Sequence, residues 1–430
     1  MAQTIFVLAI KMLARLVKVM LQVSLLCLFV VLVRRSTLPT EHPDFVMLVA
    51  LRGQQFNFIE WEATTLAWKA QQAVRGLHRS VSAQEGAQHV QTYLAQLGTV
   101  MQLEAQLESA TAQATFSPSQ IVAWQTERDR LRSVLARDQM LIESILEDQV
   151  RQVLVAEGFH VGGWLFPPIS MHFTQPTQLL VFSSREQIQM GQTWTLKGGT
   201  LEERERLEQL ALEELDQSAI VVGIGGMAVY PAMVIEHPDL ETVVDTFAHE
   251  WLHHYLMFYP LGYETELFAN PEARNINETT ATLFGQQIAK RVLDRYYSAW
   301  IQSPTLTSGT VGQPFDYYAE MNKTRVEVDH LLAQGQVAQA ESYMEQRRQW
   351  FVQNGYNIRK LNQAWFAFYG GYQVQGVGIG GADPTGAWIQ SLLEISPNLK
   401  AWVMTLRSVT TRAELFATLE RLQLPILLRG

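Results

Sequence analysis

The 430-residue sequence has little of what several classes of protein require. It contains one cysteine, Cys27, so it can form neither an internal disulfide nor a cysteine-rich metal cluster. Its 33 lysines and arginines are outnumbered by 42 aspartates and glutamates, and the net charge of −9 provides no general positive field for binding phosphates. We therefore expect no nucleic-acid partner. Any metal ion must be held by histidine and carboxylate side chains.

The longest apolar run lies near the N-terminus. Residues 19–33 are uncharged, with Lys18 before them and Arg34 and Arg35 after them. As a helix, this run covers about 22 Å of a hydrocarbon layer of roughly 30 Å, and the flanking basic side chains can reach both interfaces. We predict a retained, single-pass membrane anchor over residues 1–36. One competing interpretation is a cleaved secretory signal, although no small-x-small cleavage site follows the run. The other is a helix that lies at the membrane interface or is buried in the protein.

The distribution of basic residues around this run predicts its orientation. More positive charges precede the run than follow it, which favours an N-terminus inside the cell. The bulk of the chain is then expected on the extracytoplasmic side.

Residues 37–162 are rich in alanine, glutamine, leucine, glutamate and arginine, and apolar residues recur among them at helical spacing. Leu131, Leu135, Ile142 and Val153 belong to one such stripe. The pattern predicts two or three long helices, with a break near Pro118. We interpret this region as a helical stalk or spacer, and the alternative role is self-association or binding of another partner.

The pattern changes after residue 162. Short runs with strand character occur before Leu240, and nearly continuous helical patterns follow it. A small sheet followed by helices is typical of an α+β domain, which we place at residues 163–430. The runs with strand character cover residues 169–174, 179–183, 219–223 and 227–236.

The clearest chemical signal is the sequence His-Glu-Trp-Leu-His at residues 249–253. Apolar residues around it recur at helical spacing between Pro238 and Pro260, which predicts a helix. On a helix, His249 and His253 lie one turn apart on the same face, where both imidazoles can bind one ion. Imidazole and carboxylate ligands with one open position are typical of catalytic zinc.

A second helix is predicted to follow, because Asn275 resembles an N-cap three residues before Glu278. Glu278 would then lie in the first turn of that helix, where it can face the first helix. In metzincins, a glycine and a third histidine follow the motif at fixed positions. Leu256 and Tyr259 occupy those positions here, so the metzincin pattern is excluded.

The pairing of this motif with Asn277-Glu278 and the following Leu-Phe-Gly resembles the gluzincins, and most closely their thermolysin-like branch. The resemblance covers only residues 240–290. It implies a zincin-like catalytic domain in which zinc is held by His249, His253 and Glu278. It also implies that Glu250 is the general base.

The sequence departs from that family in two places. The interval between His253 and Glu278 is longer than usual, which leaves Glu272 as a rival ligand. The acidic residue expected one turn after the glutamate ligand is Thr282 here. Asp245, one turn before His249, is a candidate to support that imidazole instead.

The resemblance further implies a hydrogen-bond donor for the developing oxyanion. The aromatic segment at residues 365–372 offers Tyr369 and Tyr372 for this role, and Tyr317 and Tyr318 are further candidates. The family also uses an edge strand beside the zinc helix to align a peptide backbone, which we place within residues 223–234.

The sequence as a whole predicts a membrane-anchored zinc metallopeptidase that hydrolyses peptide bonds in a peptide or protein substrate, with Glu250 taking a proton from the attacking water. Two alternatives remain open at this stage. One is an inactive zinc-binding membrane scaffold that acts through its helical region. The other is a zinc hydrolase of a non-peptide amide or ester.

Overall fold

The computed structural model describes residues 43–112, 117–298, 316–370 and 383–422, together with residues 18, 20 and 22–28. Residues 1–55 form one compact unit and residues 56–430 form another, a division that differs from the predicted boundaries at residues 36 and 162. Most of the predicted anchor lies outside the described residues. In the described part of the chain, no helix combines the length and apolar character that crossing a bilayer requires.

Helices account for most of the described structure, and short strands lie between residues 160 and 235. The strands are β1 (His160–Val161), β2 (Trp164–Leu165), β3 (Met171–Thr174), β4 (Thr177–Ser184), β5 (Met190–Lys197), β6 (Gln217–Gly223), β7 (Gly226–Met227) and β8 (Ala232–Ile235). The helices before β6 are α1 (Pro43–Ala50), α2 (Phe58–Arg75), α3 (Ala83–Ala112), α4 (Pro118–Ala156) and α5 (Leu201–Leu215). Those after β8 are α6 (Leu240–Leu256), α7 (Pro260–Glu266), α8 (Pro271–Tyr296), α9 (Tyr317–Ala333), α10 (Val337–Gln353), α11 (Gln363–Tyr369), α12 (Thr385–Ile395), α13 (Leu399–Leu406) and α14 (Arg412–Arg421).

The long helices α3 and α4 pack into the main hydrophobic core. Their break falls where the sequence predicts it, because Ser117 caps α4 with a reciprocal side-chain and backbone pair and Pro118 occupies its first turn. Buried residues of these helices, such as Leu94 and Leu146, belong to the same core as Trp251 of α6. The region interpreted as a spacer therefore supports the helix that carries the histidine motif.

The described strands form two small three-stranded sheets and one hairpin. In the first, β8 is central, parallel to β3 and antiparallel to β7. In the second, β4 is central and antiparallel to both β5 and β6. β1 and β2 form a separate hairpin. Strand β7 is thus the edge of its sheet, immediately after β6 in the chain.

A second hydrophobic core is built by β4, β6 and the helices α9 to α11. Val181 and Ile220 from the sheet meet Met321, Phe351 and Phe366 from the helices. The elements that form the candidate site come from both cores, since α6 and α8 belong to the first and α11 to the second.

Candidate metal centre

Helix α6 positions the two histidines of the motif. It begins after Asp239, whose side chain accepts a hydrogen bond of 2.8 Å from the backbone N–H of Thr242. Phe247 and Trp251 are buried in the core. This burial fixes the rotation of the helix, so that His249 and His253 line a cavity with Glu250.

Helix α8 carries Glu278, but it begins earlier than the sequence predicts. Asn270 accepts hydrogen bonds from the backbone N–H groups of Glu272 and Ala273, and Pro271 occupies the first turn. Proline at the first helical position and asparagine at the cap favour a start at this point over one near Asn275. Glu278 consequently lies about two turns into the helix rather than in its first turn.

The nitrogen and oxygen atoms of three side chains converge on one point. The Nε2 atoms of His249 and His253 are 3.0 Å apart, and Oε2 of Glu278 lies 3.4 Å from the first and 3.7 Å from the second. Tetrahedral zinc with bonds of about 2.0–2.1 Å separates its ligand atoms by about 3.3 Å. The triangle formed here has all three corners about 2.0 Å from its centre, so it matches the size of a zinc site without rearrangement.

A chain of hydrogen bonds orients the imidazole of His253. Its Nδ1 lies 3.1 Å from Oδ1 of the buried Asn277, whose amide donates to Oγ1 of Thr265 at 3.2 Å. The Thr265 hydroxyl in turn donates to the carbonyl of Leu261 at 2.7 Å. Because the amide nitrogen of Asn277 faces Thr265, its oxygen must accept the Nδ1–H of His253. The lone pair of Nε2 is therefore directed into the site.

Thr282 lies at the position where the resemblance predicts an acidic residue. Its Oγ1 is 3.5 Å from Nδ1 of His249 and donates to the carbonyl of Glu278 at 2.8 Å. The contact with His249 is long, so the hydroxyl is a weaker acceptor than the hydrogen-bonded carboxylate expected there.

Asp245 packs against the backbone of α8 beside this contact. A Cβ atom added at Gly285 would lie 2.1 Å from Oδ1 of Asp245 and 2.6 Å from its carbonyl oxygen. Burial raises the pKa of the Asp245 carboxyl to about 6, and the charge of His249 opposes this shift. Glycine at residue 285 thus allows α6 and α8 to approach closely enough for the three ligand atoms to meet.

The electrostatics of the three ligands are strongly coupled. Burial alone would lower the pKa of His253, but the charge of Glu278 and a hydrogen bond to it raise that pKa to about 9. Burial would raise the pKa of Glu278, yet the two imidazoles bring it well below its ordinary value. The cluster is therefore built to hold positive charge against an ionised carboxylate. A divalent cation would supply such a positive charge.

Glu250 lies beside the ligand cluster and is almost completely buried. Oε1 would be 2.6 Å from a Cβ atom added at Gly226, so the side chain lies directly against β7. Burial raises the pKa of its carboxyl, while the imidazoles of His249 and His253 oppose the shift. A raised pKa suits a group that must accept a proton near neutral pH.

The rival ligand Glu272 takes no part in this cluster. Glu272 lies in the first turn of α8, and its Oε2 accepts a 2.9 Å hydrogen bond from the backbone N–H of Arg412. His254, which follows the second ligand, has its Nε2 2.9 Å from the carbonyl of Val229. Burial lowers the pKa of His254 to about 4, so the neutral ring donates this hydrogen bond and packs beside the site.

A cavity of about 790 Å³ opens over the ligand cluster. Residues 223–229, which include the edge strand β7, form one wall, as the sequence predicts for this segment. Tyr318 and Tyr369 lie on the wall contributed by the second core, whereas Tyr372 lies outside the described residues. Burial raises the pKa of Tyr369, so its hydroxyl remains protonated and able to donate.

Two charged residues of the cavity wall were not anticipated from the sequence, namely Glu266 and Arg274. Arg274 precedes Glu278 by one helical turn on α8, so the two side chains share a face of that helix. The four-residue spacing of Arg274 and Glu278 is visible in the sequence. It indicates a shared helix face only if α8 begins before residue 274, which the sequence did not predict.

No protein-family model matches the chain, and no curated protein or solved structure is detectably similar to it. The chemistry of the site must therefore be argued from its own side chains.

Proposed function

We propose that the protein is a zinc-dependent metallopeptidase that hydrolyses peptide bonds of a peptide or protein substrate. The main observation is the triangle formed by His249, His253 and Glu278, which has the donor types and the dimensions of a zinc site. The resemblance of the two motifs to gluzincins supports the same assignment. The apolar run at residues 19–33 would hold the enzyme at a membrane, with its catalytic part on the extracytoplasmic side.

The roles of the side chains follow from their positions. A bound zinc ion would polarise the substrate carbonyl and lower the pKa of water in the site. Glu250 would take the proton from the attacking water and pass it to the departing amine, because its buried carboxylate lines the cavity beside the ligands. The hydroxyl of Tyr369, across the cavity, would donate to the oxyanion as it develops.

The edge strand provides the means to align a substrate. Strand β7 pairs with β8 on one side, and among the described strands none pairs with its other side. An extended peptide can bind such an edge through backbone hydrogen bonds. Gly225 and Gly226 have no side chains to obstruct this approach. A backbone-aligned, extended substrate favours a peptide over a small amide or ester.

The decisive experiment compares Glu250→Gln with the wild-type protein in zinc content and in cleavage of a broad peptide library. The variant should retain zinc and lose about 10²- to 10⁴-fold in rate, since it keeps the shape of the side chain but cannot accept a proton. Glu241→Gln is the matched control, because Glu241 is exposed in the first turn of the same helix. Equal rates for the two variants would contradict the proposal.

The zinc ligands can be tested independently of activity by a pair of substitutions on α8. Glu278→Gln removes a carboxylate from the triangle and should weaken zinc binding by more than about a hundredfold, beyond the usual effect of removing a supporting hydrogen bond. Glu272→Gln should leave zinc affinity unchanged, because its carboxylate contacts Arg412 instead. Zinc bound tightly with no peptide cleaved would favour the inactive scaffold or a non-peptide substrate.

A further inference from the structure

Helix α2 directs Lys69 and two indole rings inward. Lys69 forms ion pairs of 2.7 Å with Glu143 and 3.0 Å with Glu147, both on α4. Trp68 donates its indole N–H to Glu143 at 2.9 Å, and Trp61 donates to Thr174 of β3 at 3.1 Å. These contacts attach α2 to the body of the protein through charges and indole hydrogen bonds rather than through aliphatic packing.

The opposite face of α2 is aliphatic and exposed. Ile59, Leu66 and Val74 have exposed fractions of 85%, 47% and 89%. Together with the exposed residues Ala63, Ala67 and Ala70 they fall within about 100° of the helix surface, and we call this set the outer stripe. A surface helix normally has the reverse arrangement, with its apolar side on the core.

The rotation of α2 is firmly set, so the outer stripe is not an accident of loose packing. Turning the helix to bury the stripe would break the contacts of Lys69 with the buried Glu143 and the partly buried Glu147 and remove the lysine charge that both carboxylates face. Loss of one partner of a buried ion pair costs about 3–5 kcal/mol. A contiguous exposed apolar surface of this kind marks an interaction site.

We propose that the outer stripe is a homodimer interface in which α2 pairs antiparallel with α2 of a second copy. The stripe is self-complementary about its midpoint, between Leu66 and Ala67. Reversing the direction of the helix places Ile59 opposite Val74 and Ala63 opposite Ala70. Alanines at these positions let two helix axes approach closely. Each residue then makes its contact twice, as a two-fold axis requires.

The charges beside the stripe agree with this partner. Glu60 lies near one end and Arg75 near the other, on the same flank of the helix. In an antiparallel pair, Glu60 of one copy and Arg75 of the other lie at the same end and on the same side of the interface, where their opposite charges favour association. A lipid surface is a poorer match, because Trp61 and Trp68 turn inward and Arg75 is the one exposed basic residue of the helix, whereas membrane-binding helices typically carry several.

The first experiment measures the mass of the full chain in non-ionic detergent, with micelles in excess over protein, across a range of protein concentrations. The wild type should dimerise, and Leu66→Glu should weaken dimerisation at least about tenfold, because it places two carboxylates at the centre of the interface. Leu212→Glu is the matched control, since Leu212 is an exposed leucine on α5 and should not affect association. A monomeric wild type at every concentration would overturn the proposal.

The second experiment tests the antiparallel arrangement by disulfide cross-linking in a Cys27→Ser background. Residues 59 and 74 lie about 22 Å apart along the helix. A mixture of the single variants Ile59→Cys and Val74→Cys should therefore cross-link, while neither variant should cross-link alone. Cross-linking of either one alone would overturn the antiparallel pairing. A second result would also overturn the proposal. If the protein is monomeric in the mass measurement, and a fluorophore attached to Ile59→Cys reports a lipid environment in phosphatidylcholine vesicles, the outer stripe binds lipid instead of a second copy.

Discussion

Asn277 offers the sharpest test of how the site would hold the proposed zinc ion. The Asn277→Ala variant loses the acceptor for the Nδ1–H of His253, a contact of 3.1 Å, and the donor to Thr265 at 3.2 Å. Asn277 is 1% exposed, so solvent cannot replace either partner without rearrangement. The imidazole would then gain by moving its proton to Nε2, which removes the lone pair directed at the metal.

The magnitude follows from the cost of leaving a buried N–H without an acceptor, about 1–3 kcal/mol. This range corresponds to roughly a 10- to 100-fold loss of zinc affinity, which is also the usual effect of removing a supporting hydrogen bond from a metal ligand. Competition with a chromophoric zinc chelator at pH 7.5 would measure this loss. Circular dichroism would establish that the variant is folded.

Asn277→Asp is the matched control for the acceptor. It keeps an oxygen toward His253, and the Thr265 hydroxyl can turn to donate to it, so zinc affinity should stay within about tenfold of the wild-type value. If the folded Asn277→Ala variant bound zinc as tightly as the wild type, the assignment of the His253 tautomer through Asn277 would be refuted. Equal losses for both variants would point to packing rather than hydrogen bonding.

Two further substitutions test the packing and the buried charges around the site. Gly285→Ala forces a methyl group within 2.1 Å of Oδ1 of Asp245. We therefore expect the free energy of unfolding to fall by about 1–3 kcal/mol and zinc to bind more weakly. Unchanged zinc affinity would show that the spacing of α6 and α8 does not control the positions of His249, His253 and Glu278. Despite its burial, the Glu143 carboxyl has its pKa lowered to about 2 by His172 and Lys69. The lowered pKa stabilises the fold by roughly 3 kcal/mol above about pH 4.5, and this contribution is lost as the pH falls through about 2. The free energies of unfolding of wild type and Glu143→Gln, measured by denaturant titration, should therefore differ most at pH 7 and by less than half as much at pH 3. A difference in unfolding free energy that does not change with pH would contradict this account.

The histidine-bearing helix was the most predictable part of the molecule. A helix between Pro238 and Pro260 follows from apolar spacing and its flanking residues, and the observed α6 lies within it. That His249 and His253 meet on one face follows from helical geometry alone. The residue pattern predicted a small sheet in this region, whereas the edge strand beside the helix was placed within residues 223–234 by the resemblance to gluzincins.

What could not be read from the sequence depends on contacts between distant segments. The choice of Glu278 over Glu272 rests on where α8 begins and on Arg412, which lies far along the chain. The replacement of an acidic residue by Thr282 becomes intelligible only when its hydroxyl is seen beside His249. The amphipathic pattern of residues 37–162 predicted helices, but it did not show that α3 and α4 pack on α6 while α2 turns its aliphatic side outward.

The two-core construction has a consequence for how the cleft responds to stress. The three proposed metal ligands stand on helices of the first core, whereas Tyr369 and its neighbours stand on the second. The glycine-containing stretch at residues 223–226 joins β6 to β7. Separate clusters of packed side chains can loosen separately. Mild heating should therefore widen the mouth of the cleft, and abolish the proposed peptidase activity, at a temperature at which α6 and α8 are still in place.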